Sequence, residues 1–207
     1  MENKRKELKT ILLIALLGAL WGALEIVFGN ILHSMKFPFR GVIMSCMGML
    51  VVSIGYFSNP KPGTCVCIGL IAAFLKFFSM GAFKLNPVLG ITLEALAAEL
   101  IFSLGGKKVA TVYIVFIINS VITVFQNFIT TFLITGITPM GIFNVFSGLF
   151  ASIKGFVISG TYITIFYLVS KLLIAVSISS FAAYISIPVI EMISSEKEKS
   201  LVQSSEK

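Results

Sequence analysis

Charge in this chain is pushed to its ends, and that restricts what the middle can become. Six charged residues stand in residues 1–9 and seven in residues 191–207, leaving twelve for the 181 positions between. Soluble domains carry about a quarter charged residues. Here only 12% are charged, 57% are hydrophobic and the mean hydropathy is +1.01. A bilayer-spanning helix needs about 20 apolar residues, so 207 residues have room for six or seven helices and no separate soluble domain. The expected architecture is an all-α integral membrane protein of about six transmembrane helices, multi-pass in the cell (plasma) membrane, with amino and carboxyl ends cytoplasmic. Residues 1–9 form a basic cytoplasmic amino end, 10–193 a single transmembrane domain and 194–207 a charged cytoplasmic tail.

What is missing narrows the chemistry. All nine acidic residues are Glu and the single histidine is His33. That removes Asp dyads, a Ser-His-Asp triad and any His-rich metal site. No GxxxxGK[ST] is present, so the chain carries no P-loop for ATP. Of the three cysteines, Cys65 and Cys67 would need two further ligands to hold zinc, and no Cys or His pair supplies them. The expectation is a transporter, channel or membrane scaffold, not an enzyme, with no metal and no cofactor. The +7 net charge sits in loops and ends, where it reports topology and not nucleic-acid binding.

Gly and Pro mark the spans. A retained first helix is expected from Thr10 to about Leu32, then helices at about 41–57, 65–83, 86–104 and 109–135. Residues 141–193 offer few breaks. With the amino end inside, Lys4, Arg5, Lys6, Lys9, Lys61, Lys107, Lys108, Lys197, Lys199 and Lys207 collect on the cytoplasmic side. Only Lys36, Arg40, Lys84 and Lys154 face out. A seventh span would put Lys197 and Lys199 outside. Gly136–Ser152 is therefore read as an outer loop with a re-entrant or interfacial segment, and about 153–175 as the sixth helix. Residues 176–193 then continue that helix or lie along the inner interface.

A charge at mid-bilayer asks for a partner or a function. Glu25, Lys76, Glu94 and Glu99 are such charges. Lys76 and Glu94 fall at nearly equal depth on consecutive antiparallel helices, so a Lys76–Glu94 ion pair is available, either locking the bundle or forming part of a polar substrate site. Glu99 lies nearer the cytoplasm and can snorkel. Glu25 is in register with Gly18, Gly22 and Gly29, which places it inside the bundle near the outer mouth, where His33 follows. The fifth helix carries Asn119, Thr123, Gln126, Asn127 and Thr130 at spacings of three and four. Such a stripe faces protein or a cavity, since lipid would leave it unsatisfied. Asn144, Ser147, Lys154 and Tyr162 are possible additions. Apart from Glu99 and the tail, these groups sit at mid-depth or above, as a pocket open to the outside requires. The expected substrate-binding set is Glu25, His33, Lys76, Glu94, Asn119, Gln126, Asn127 and Asn144.

Helix one has a second small-residue face. Ala15, Ala19 and Ala23 form an AxxxAxxxA ladder about 90° from the glycine line. With its length, topology and basic amino end, the chain resembles the substrate-binding S components of energy-coupling factor (ECF) transporters, loosely also over Asn86–Glu99. The resemblance implies a six-helix protein that captures a vitamin or related micronutrient from outside. It implies that Ala15, Ala19 and Ala23 dock against a transmembrane coupling subunit, and that two ABC-type ATPases supply the energy. No substrate-specific signature is present, and the cobalt/nickel members, which need an amino-terminal His site, do not fit. The competing reading is a self-sufficient secondary transporter or channel using intramembrane glutamates as a relay. Residues 10–104 and 109–193 show no convincing internal repeat, which speaks against it.

Overall fold

The structure, a computed structural model, describes residues 2–35, 37, 39–79, 85–135 and 160–205. The described residues form six helices: α1 (Glu2–Ser34), α2 (Arg40–Ser58), α3 (Thr64–Phe77), α4 (Leu85–Gly105), α5 (Val109–Thr135) and α6 (Gly160–Ser205). Five contain stretches long and apolar enough to cross a membrane, and α3 is a shorter apolar helix between them. The chain is an all-α, multi-pass membrane protein.

The helix ends follow the punctuation. The Asn59 N–H bonds the Gly55 carbonyl at 2.8 Å, and its side-chain amide donates to the Thr64 hydroxyl at 3.1 Å. Gly63 then turns into α3 with φ of 89°, a conformation that disfavours any side chain. Gly106, at φ 67°, closes α4 in the same way, its N–H returning to the Phe102 carbonyl at 2.8 Å.

Helix α4 shows how polarity is sorted. Leu89, Leu93, Leu96, Leu100 and Leu104 are exposed, whereas Ile91, Glu94, Ala95, Ala98 and Phe102 are buried. Leucine outside and glutamate inside is the arrangement expected where the solvent is lipid. Helix α1 does likewise with Leu12, Leu16, Leu20, Val27 and Ile31 outside.

Small residues set the close approaches. A Cβ on Gly18 would lie 2.7 Å from Ile71 Cβ and 2.9 Å from the Ile68 carbonyl, and one on Gly22 would lie 2.8 Å from a Leu75 methyl. The glycine face of α1 therefore lies directly on α3. Gly48 of α2 makes room for the fully buried Trp21 indole. Deeper in, Tyr56 stacks on Phe102 at 4.6 Å and donates its hydroxyl to the Phe102 carbonyl at 3.0 Å.

Two span assignments change. Helix α3 ends at Phe77, short of the expected 83, with Phe78 and Ser79 turning away; residues 80–84 lie outside the described residues. The sixth helix, described from Gly160, does not end at 175. It is one 46-residue helix in which Leu168–Ile193 is the apolar stretch of spanning length, so residues 176–193 continue it through Pro188. The expected re-entrant segment at 136–152, with Asn144, Ser147 and Lys154, lies outside the described residues.

Candidate functional site

One end of the bundle holds a cavity of about 590 Å³, within the range of about 300–1,000 Å³ usual for small-molecule sites. It is bounded by the carboxyl-terminal part of α1, the first turns of α2 and α4, the last turn of α3, the middle of α5, and Lys171 of α6. Helix α1 runs into this end and α6 runs away from it. The Glu2 end of α1 and the Ser205 end of α6 therefore both lie toward the opposite end of the bundle.

Five of the expected site residues converge here: Glu25, His33, Lys76, Glu94 and Gln126. Asn119 does not. Its side chain is fully buried and its amide nitrogen donates to the Val115 carbonyl one turn back at 2.9 Å, while its Oδ1 has no partner among the described residues. The α5 stripe thus divides: Thr123 and Gln126 line the cavity, Asn119 packs within the bundle. Asn127 is on α5, but its side chain lies outside the described residues.

The ion pair is also reassigned. Lys76 pairs with Glu25 and not with Glu94. Its Nζ lies 3.6 Å from Glu25 Oε2 and donates to the Glu25 carbonyl oxygen at 2.5 Å. Both side chains are about nine-tenths buried. Gly29 leaves the space, since a Cβ there would sit 3.0 Å from Nζ. Lys76 stands in the last turn of α3, where the carbonyl end of the helix dipole favours a cation.

Glu94 has different company. The Thr123 hydroxyl approaches Glu94 Oε1 at 2.8 Å and the Asn119 carbonyl at 2.9 Å, sharing one proton between them. The Ser45 hydroxyl on α2, 2% exposed, stands beside the same carboxylate. At the mouth, the Arg40 guanidinium hydrogen-bonds His33 Nδ1, tying the start of α2 to the end of α1. The Gln126 side chain donates to the Asn86 carbonyl at 2.8 Å and to Asn86 Oδ1 at 3.0 Å, tying α5 to the first turn of α4.

Glu99 takes a structural position. Its carboxylate accepts the backbone N–H groups of Gly63 at 2.7 Å, Cys65 at 2.8 Å and Val66 at 3.4 Å. A helix opens with N–H groups that have no partner inside it, so α4 caps α3.

Sequence reasoning passed over Arg40, Ser45 and Lys171 as site residues. Arg40 counts as loop charge by position alone. Gly41, Ser45 and Gly48, at spacings of four and three, form a small-residue face on α2 that was the available signal for Ser45. Lys171 falls near the inner surface if the sixth helix spans 153–175; with the apolar stretch at Leu168–Ile193 it stands at the cavity end.

The two faces of α1 part as expected: Gly18, Gly22 and Glu25 are buried, Ala15 is half-buried, and Ala19 and Ala23 are exposed. Among the described residues no group of three or more His, Cys, Asp or Glu side chains converges on one point. The cavity is equipped to hold a small polar molecule by hydrogen bonds and charge. No protein-family model, curated protein or solved structure matches the chain.

Proposed function

We propose that this protein is the substrate-capture subunit of a plasma-membrane uptake system: it binds a vitamin or related micronutrient from outside and is energised by partner ATPases through a membrane coupling subunit. The observation that carries this reading is the polar cavity at the bundle end opposite both charged termini. Lys-rich termini belong on the cytoplasmic side, so the cavity faces out. The protein works by binding, not by catalysis. Ala19 and Ala23 support docking, because they are small, exposed, and set on a face of α1 that its own bundle leaves uncovered.

The test is a tagged pull-down from native membranes in mild detergent, for wild type and Ala19→Leu. Wild type should bring down a membrane protein and two ATPases, and Ala19→Leu should lose them while keeping wild-type stability. Reproducible recovery of the protein alone would overturn the proposal. A second reading, a solitary proton- or cation-coupled transporter, draws on Glu94, buried with hydroxyl company only. Proton-driven uptake by pure protein in liposomes, abolished by Glu94→Gln, would favour it.

A further inference from the structure

The charges of the cavity are not distributed evenly, and their order along its depth says what shape of molecule it takes. On its floor Glu25 and Lys76 neutralise each other. Glu94 is left over: it is buried, and no cation among the described residues lies within ion-pair distance of it. A buried carboxylate with two oxygens can accept about four hydrogen bonds, and the described residues offer it hydroxyls only, Thr123 at 2.8 Å and Ser45 beside it. The Ser45 hydroxyl is 2% exposed and opens on the cavity, and the carboxylate is the acceptor it faces. A buried carboxylate short of partners is costly, and this point of the cavity wall marks the place where a guest supplies the missing bonds. Lys171 lines the same cavity without reaching ion-pair distance of Glu94, so the guest group that fits against this carboxylate is a cation or a strong N–H donor.

The mouth has the opposite sign. Arg40 is the first residue of α2 and lines the cavity five residues before Ser45, roughly 8 Å away along the helix axis. One N–H of its guanidinium goes to His33 Nδ1, and the fork has five such donors in all. Between mouth and floor Val42, Ile91 and Val124 supply an apolar strip of wall.

We infer that the ligand is a dipolar small molecule, with an amine or amidine head on Glu94 and Ser45, a short apolar middle, and a carboxylate or phosphate end on Arg40. This rests on the substrate-capture reading and specifies its substrate class.

The test releases whatever the full-length protein carries. Wild type, Glu94→Gln, Ser45→Ala and Arg40→Gln are purified from native membranes and denatured, and the small molecules set free are identified by mass spectrometry in both ion modes. Thermal unfolding of each variant confirms that it is folded, and Ser45→Ala serves as the mild change should Glu94→Gln not fold. Wild type should release a compound bearing both a basic nitrogen and an acidic group. Its yield should fall about tenfold or more in Glu94→Gln and in Arg40→Gln, since each loses a charge-assisted hydrogen bond. A released compound that is neutral or carries one sign of charge overturns the inference, as does undiminished yield from Glu94→Gln or Ser45→Ala. Release of no compound from a wild-type preparation that still brings down its ATPases overturns the dipolar ligand and leaves the uptake reading standing. Loss of the ATPases from wild type overturns the uptake reading itself.

Discussion

Removing the Lys76 ammonium discriminates between the two glutamates that could have held it. Lys76 Nζ lies 3.6 Å from Glu25 Oε2, with both side chains about nine-tenths buried. Coulomb's law with an effective dielectric of about 20 gives about 4–5 kcal/mol for unit charges at that spacing, an upper bound on the coupling. Desolvation offsets part of it, leaving a coupling of about 2–3 kcal/mol. Lys76→Met should cost more than the coupling alone, because the bond from Nζ to the Glu25 carbonyl goes with it, worth about another 1.5–3 kcal/mol. The assay is a pair of double-mutant cycles read by reversible unfolding in mixed micelles, one combining Lys76→Met with Glu25→Gln and the other with Glu94→Gln. The first should show the coupling and the second about 0.5 kcal/mol or less. A larger coupling to Glu94 than to Glu25 would refute the pairing and the geometry of α1 on α3 from which it follows.

Three further outcomes are expected. Glu99→Ala should destabilise the fold by about 2–4 kcal/mol, since it strands the N–H groups at the start of α3; amide exchange at Cys65 and Val66 should rise with it, and unchanged protection there would contradict the cap. Gly18→Ala should cost about 1–3 kcal/mol by forcing a Cβ against Ile71 and the Ile68 carbonyl, whereas Ala19→Leu on the neighbouring exposed face should stay within about 0.5 kcal/mol; equal effects in the unfolding assay would mean the two faces are misassigned. On a cysteine-free background, Lys9→Cys and Ser195→Cys should react with an impermeant thiol reagent from one side of sealed vesicles and Asn30→Cys from the other, and labelling of Ser195→Cys from the Asn30 side would break the topology.

Most helix limits were legible because they depend on local facts: apolar runs, Asn59-Pro60, Gly105-Gly106. The inward turn of Glu25 was legible too, from its register with Gly18, Gly22 and Gly29. Lys76's partner was not. Depth along the membrane normal placed Lys76 level with Glu94, but depth says nothing about lateral distance. The lateral answer lay in the same glycines, which bring α1 onto α3 closely enough for Lys76 to reach Glu25. The sixth span resisted for another reason. An apolar tract of some fifty residues has no internal marker of register, so the segment chosen for the span slid by about four turns, and Lys171 moved with it from one membrane face to the other. Asn119 shows the limit of the polar-stripe argument: spacing puts residues on one face of a helix, but a face seven residues long can begin in packed protein and end in a cavity.

Helix α3 is fastened at both ends by carboxyl side chains from different neighbours, its first turn to Glu99 of α4 and its last turn to Glu25 of α1. Among the described residues the α1 backbone approaches those of α2 and α3 and of no other helix. Mechanically α3 is a link bar. A tilt of α1, such as a docked partner helix on Ala19 and Ala23 would impose, acts on α4 and its Glu94 through the pull on two pinned ends and through α2, not by direct pressure. Loosening either pin should therefore leave each half of the bundle intact while letting them move out of step.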